Sequence, residues 1–176
     1  KAIKREEKPK NVQLSGFEAI TDRWSTAPKT DGIQDEIVLA NGETITGRYI
    51  LTEAGAMTPS HNPNGFAPSE GFPQVDGKTV NDRDYQNDKA AQTIVLQKAG
   101  QYDQRALQTP VIVSAEGVVL SGNDRTMSGQ IAAQNGTDKA YVEYLAKYAP
   151  KYGFTTEQVA EYANPRVVFV PDVQMP

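Results

Sequence analysis

Gly117-Val118-Val119-Leu120-Ser121-Gly122-Asn123-Asp124-Arg125-Thr126 runs from an apolar, strand-like triplet into the approach to a helix. Val118 to Leu120 has strand composition, and Ser121-Gly122 ends it, because glycine permits a tight turn there. A helical pattern follows from Met127 to Gln134 and stops at Asn135-Gly136. Such a junction has a chemical consequence. The first N–H groups of a helix lack intrahelical partners, and with the helix dipole they favour an anion. Gly122 lets a phosphate approach the backbone, Arg125 offers a bidentate guanidinium, and Ser121 and Thr126 offer hydroxyl donors. The same residues also fit an ordinary helix cap with a surface arginine.

Working outward, Pro110 to Val113 and Gly117 to Leu120 read as two short strands around the turn Ser114-Ala115-Glu116. Before them, Asn87 or Asp88 can cap a helix carrying Ala91, Ile94, Val95 and Lys98 and closed by Gly100. After the turn, Thr137 opens a helix with Tyr141, Leu145 and Tyr148 at helical spacing, ended by Pro150 and Gly153. Thr155-Thr156-Glu157-Gln158 is a capping box for a further short helix. Asn164-Pro165 breaks that helix, and Val167 to Val170 reads as a last strand. Nearer the start, Ile37 to Leu39, Asn41-Gly42 and Thr44 to Leu51 read as a β-hairpin whose turn takes its positive φ values from Asn-Gly. In its second strand Ile45, Gly47, Tyr49 and Leu51 share one face, and Thr46, Arg48 and Ile50 the other. Residues 53 to about 86 carry Pro59, Pro63, Pro68 and Pro73 with four glycines and no clear periodicity, and a long irregular segment of this kind is often functional. The order predicts an α+β fold: a small mixed sheet flanked by helices, with a long irregular loop.

The chain has 176 residues, enough for one domain with a real core. Residues 1–10 hold five Lys/Arg and two Glu and read as a charged tail or linker, leaving 11–176 as a single domain. The chain is net −4, the tail +3, and the body therefore −7, which argues against unaided DNA binding by charge. There is no Cys, so disulfides, Cys-ligated metals and a thiol nucleophile are excluded. No membrane span is expected, and without an apolar leader a cytoplasmic location is expected. The first residue is Lys, which suggests a piece of a longer protein with other domains.

The candidate sites beyond the turn are few. His61, the only histidine, lies in Thr58-Pro59-Ser60-His61-Asn62-Pro63 and suits an acid/base or phosphate-donor role, or is simply structural. In Asn81-Asp82-Arg83-Asp84-Tyr85, Arg83 can contact phosphate and Asp82 and Asp84 can hold Mg²⁺, while a solvated salt-bridged turn is the more ordinary reading of the same residues. Tyr141, Tyr144, Tyr148 and Tyr152 read as core and helix-packing residues.

The run from Gly117 to Thr126 resembles the G-x-V-x-S-G-N-x-R-T segment of ParB/sulfiredoxin-fold domains, closest to their DdrB-like branch, found in phage and mobile-element proteins linked to defence against restriction. Gly47-Arg48-Tyr49 through Pro59-Ser60-His61-Asn62, Asn81 to Tyr85, Tyr141 to Gly153, and Pro165 to Val170 resemble further segments of that branch, so the likeness spans about residues 45–171. The wider superfamily includes CTP-dependent DNA-partition clamps, ATP-using sulfiredoxins, a serine kinase and candidate nucleases, and shares a G-x-x-R turn that holds nucleotide phosphates. Asn123 stands where the partition proteins have a Glu and Asp124 where they have an Arg, while the absent Cys excludes sulfiredoxin chemistry.

What the resemblance implies is a nucleotide- or phosphate-binding domain acting in DNA metabolism or antirestriction. Ser121, Gly122, Asn123, Arg125, Thr126 and Arg83 would hold phosphate of a nucleoside triphosphate. Mg²⁺ would be held by Asp82 or Asp124. His61 would be the general base of an NTPase, with Asp124 beside it. A metal-dependent nuclease built on Asp82, Asp84, Asp88 and Asp124 is an alternative. A non-enzymatic DNA-docking or protein-interaction module is another.

Overall fold

The computed structural model describes residues 11–75, 78–79 and 83–172. The charged tail at residues 1–10 and Asn81-Asp82 lie outside them. In chain order the elements are α1 (Asn11–Thr26), β1 (Lys29–Val38), β2 (Thr44–Glu53), β3 (Gln74–Val75), β4 (Lys78–Thr79), α2 (Lys89–Gly100), β5 (Val111–Val113), β6 (Val119–Ser121), α3 (Asn123–Asn135), α4 (Lys139–Tyr148), α5 (Thr156–Ala160) and β7 (Pro165–Pro171). Short 3₁₀ turns sit at Gln104–Leu107 and Ala149–Tyr152.

β2 alternates as its sequence requires. Ile45, Tyr49 and Leu51 join one apolar cluster with Tyr102, Tyr141, Leu145, Phe154, Val167 and Phe169. Ile50 turns to the opposite cluster, with Trp24, Met57, Val111, Val113, Val119 and Val168. Both faces of the sheet are thus covered, which explains the nearly unbroken apolar run of β7. The five-stranded sheet has the order β1-β2-β7-β5-β6, with β5 parallel to β7 and the other neighbours antiparallel. It is the mixed sheet of an α+β fold. α2 packs on α3 in a cluster of Val95, Met127 and Ile131 with Phe66 and Tyr85 of the irregular stretch.

Local signals act where expected. Asp88 caps α2 by accepting from the Ala91 N–H at 3.1 Å. Thr155 and Gln158 form the reciprocal capping box of α5. Three expectations need correction. The hairpin turn takes a positive φ at Gly42 alone, and five residues separate the last paired Val38 and Thr44. The irregular stretch contains the small β3–β4 ladder. The helix after the turn begins at Asn123, not Met127, because polar residues at a helix start carry no apolar periodicity to read.

The sequence pattern also gives no warning of α1. Ile20 packs on Phe72 and Val118, while Trp24 lies against Gly117, where a Cβ would meet its Cβ at 2.4 Å. Each large apolar side chain buried this way stabilises the fold by about 1.5–3 kcal/mol. No helix among the described residues is long and apolar enough to cross a membrane.

Candidate functional site

Gly122 is the N-cap of α3 with φ 97°, a left-handed conformation that disfavours any side chain. A Cβ there would lie 2.9 Å from Nη2 of Arg125 and 3.1 Å from Val111, so the Arg125 guanidinium folds back over the glycine. The Thr126 N–H and hydroxyl both donate to the Gly122 carbonyl at 2.9 Å, and Thr126 is buried. Its hydroxyl therefore closes the turn and does not face a ligand, contrary to the expectation from sequence. Asn123 is buried too, and its Oδ1 accepts the Ser60 N–H at 2.7 Å. Ser121 is exposed at the end of β6.

Asp124 forms an ion pair with Lys98 of α2 at 2.6 Å. Burial pushes its carboxyl upward, but the Lys98 ammonium, with the Arg125 guanidinium and backbone N–H adding to it, outweighs this and holds it below the usual range. The carboxylate assigned to a metal is therefore already engaged. Arg125 differs. It is half-buried, its Nε is buried without a hydrogen-bond partner, and its guanidinium makes no hydrogen bond or ion pair among the described residues. It lines a cleft of about 420 Å³ with Lys98, Gln101, Tyr102, Arg105 and Ser128. Arg105 is held there by a two-point contact with Asp103, at 2.9 and 3.0 Å.

The 58–61 loop meets the turn from the other side. Ser60 is fully buried, and its Oγ lies 2.8 Å from Nδ1 of His61. His61 is 3% exposed and packs edge-on against Tyr85 at 5.3 Å. Burial lowers the His61 pKa, with the Asp84 carboxylate opposing, so the ring is neutral near pH 7. Arg83 lies over the Tyr85 ring at 5.9 Å. Asp84 accepts from the Asn87 side chain at 2.9 Å, the main reason its carboxyl is held below the usual range. Asp82 is not among the described residues, and no three His, Cys, Asp or Glu side chains gather as a metal site among those that are.

The structure thus joins Gly122, Asn123, Asp124, Arg125 and Thr126 in one turn. It links His61 to that turn through Ser60 and Asn123, and Arg83 to His61 through Tyr85. It does not place His61 in the wall of the cleft that Arg125 lines. Sequence reasoning missed Lys98, Ser60, Tyr85 and Arg105. Only Ser60 and Tyr85 carried a signal, as neighbours of residues already singled out.

A mixed sheet whose short last pair of strands delivers a glycine turn and an arginine-bearing helix start defines an α+β domain of ParB type. The family model for the ddrB-like ParB superfamily domain matches residues 40–172, and the chain belongs to that family. No curated protein and no solved structure matches it. α1 and β1 precede the matched segment.

Proposed function

We propose that this ParB-like domain binds a nucleotide, through its phosphates, at the start of α3. The carrying observation is the Arg125 guanidinium: half-buried, beside the left-handed Gly122, and without a hydrogen bond or ion pair among the described residues. A cation in such a place costs desolvation that an anion offsets. The first N–H groups of α3 would donate to the same phosphate; the Thr126 N–H is taken by Gly122, so Asn123 and Asp124 supply them. Lys98 and Arg105 also line the cleft, each paired with a carboxylate, Asp124 and Asp103, which leaves Arg125 as its cation without an ion pair among the described residues; the size of the cleft suits a nucleoside. An origin in a phage or mobile-element protein acting in DNA metabolism or in defence against restriction rests on the family alone.

The residues at the turn fit a phosphate; Asp124 is paired with Lys98 and so is not free to hold Mg²⁺, and Asp82 lies outside the described residues. No step is derived through a metal. As a general base His61 would need the 58–61 loop to open, since the ring is buried and Nδ1 is already bonded. An unchanged hydrolytic rate in His61→Ala would remove it from any catalytic role.

The test is thermal unfolding with each ribonucleoside triphosphate, on the wild type and on Arg125→Ala. A ligand at about 100 times its dissociation constant stabilises a fold by roughly 2.7 kcal/mol. A shift with one nucleotide that Arg125→Ala abolishes is expected. Absence of a shift with all of them would overturn the proposal.

A further inference from the structure

Among the described residues, two buried side-chain polar atoms have no hydrogen-bond partner, and both are guanidinium Nε atoms, of Arg125 and of Arg166. Both residues line one void of about 20 Å³, where the start of α3 faces β7. A buried donor left unpaired is costly, and more so on a charged group. Two such donors on one small space point to a ligand that accepts from both.

The walls say what kind of ligand. Gly129 has no side chain where α3 borders the void: a Cβ there would lie 3.1 Å from Nε of Arg166 and 2.9 Å from the Tyr102 hydroxyl. Tyr141, also in the wall, accepts the Val167 N–H at 3.1 Å and keeps its own proton to donate. Much of the remaining wall is apolar, with Ala54, Met57, Val111 and Val168, and no Asp or Glu lines it. Asp138 compensates Arg166 at 2.7 Å, while Arg125 has no ion pair among the described residues. The void is therefore rich in donors and carries one uncompensated positive charge.

Size narrows the choice. A space of about 20 Å³ takes one ligand of roughly water size and excludes phosphate and other polyatomic anions. A water would accept from both Nε–H groups but leave the charge uncompensated. A halide accepts from several donors, has no proton of its own to place, and supplies the missing charge. We propose that this void is a halide site that takes chloride from solution, held by the Nε–H groups of Arg125 and Arg166. The site is independent of what the neighbouring cleft binds, because the other N–H donors of Arg125 are on its terminal nitrogens.

The experiment is thermal unfolding of the full chain at fixed ionic strength while sodium chloride replaces sodium isethionate, whose anion is too large for the void. It is carried to about 200 mM, so that weak, millimolar binding saturates. A saturable rise in melting temperature is expected, with bromide acting as chloride does. Arg125→Met, which removes one of the two Nε donors, should bind halide at least about tenfold more weakly, the loss of one charge-assisted contact. Lys147→Met, at an exposed cation of α4 away from the void, should respond as the wild type does. Crystals grown in sodium bromide should show an anomalous bromide peak against both Nε atoms, a readout that needs no variant to fold. A wild type indifferent to chloride, an Arg125→Met with the full response, a Lys147→Met that loses it, or a water in place of bromide would overturn the proposal.

Discussion

Arg166 and Arg125 line the same void of about 20 Å³, yet they are opposite kinds of arginine. Arg166 is 5% exposed and almost completely satisfied. It donates to Asp138 and to the Gly129 carbonyl at 2.7 Å, and to the Pro165 carbonyl at 2.8 Å. Its guanidinium lies 4.9 Å from the ring centroids of both Tyr102 and Tyr141. Both arginines have a buried, unbonded Nε, and the void has room for one water between them. The difference lies in the terminal nitrogens: those of Arg166 are used by the fold, and those of Arg125 are left over. One arginine holds α3 to β7, while the terminal nitrogens of the other make no hydrogen bond among the described residues.

The largest expected effect comes from breaking the satisfied arginine. Arg166→Met leaves Asp138 buried without its cation, which costs about 3–5 kcal/mol. Urea denaturation would read this directly, and a loss below about 1 kcal/mol would mean that the pair does not hold the core.

Removing the unsatisfied guanidinium is expected to leave stability nearly unchanged. Arg125→Ala should shift stability by no more than about 0.5 kcal/mol without ligand, because its terminal nitrogens make no hydrogen bond or ion pair among the described residues. With a saturating nucleotide it should forfeit the roughly 2.7 kcal/mol that the wild type gains. A large loss of stability in the unliganded variant would make Arg125 a structural residue like Arg166.

Gly122→Ala sharpens the comparison from the backbone side. At φ 97° a non-glycine residue costs about 1–3 kcal/mol, and the new methyl would also press on the Arg125 guanidinium. In a double-mutant cycle with Arg125→Ala, part of the cost should vanish, since the clash at 2.9 Å is with a flexible side-chain tip. Strict additivity would mean that the guanidinium does not sit over the glycine.

The two regions also differ in how far the sequence announced them. The β6–α3 junction was legible because its signals are local: an apolar triplet, a glycine, a closing Asn-Gly. The caps at Asp88 and Thr155 were legible for the same reason. Helix α1 was not, because Ile20 and Trp24 find partners at Phe72, Val118 and Gly117, far along the chain. Arg166 and Asp138 were invisible as a pair, 28 residues apart. The sequence left His61 open between a functional and a structural role, because Tyr85, which packs against it, arrives 24 residues later, after an irregular stretch.

His61 gives a pH test of that burial. Its folded pKa lies below the ordinary 6.5, so the unfolded chain takes up a proton first. The stability contributed by the neutral ring is complete above 6.5 and is lost as pH falls from there through the folded pKa. His61→Gln should flatten this part of the stability–pH curve, and an unchanged curve would mean that the ring is not buried in solution.

A further small effect on stability is expected at Lys98, and it returns to the contrast between the arginines. Its contact with Asp124 has nearly the same length as that of Arg166 with Asp138, 2.6 against 2.7 Å. The difference is exposure: the Lys98 and Asp124 side chains are 46% and 24% exposed, those of Arg166 and Asp138 6% and 11%. Water screens the first pair, so Lys98→Ala should cost only about 0.2–1 kcal/mol. Its effect on ligand binding should be larger, because it removes a cation from the cleft and leaves the Asp124 carboxylate uncompensated beside the phosphates. Thermal unfolding with and without nucleotide separates the two outcomes. A nucleotide shift equal to that of the wild type would place the phosphates away from Asp124, with Arg125 alone to hold them.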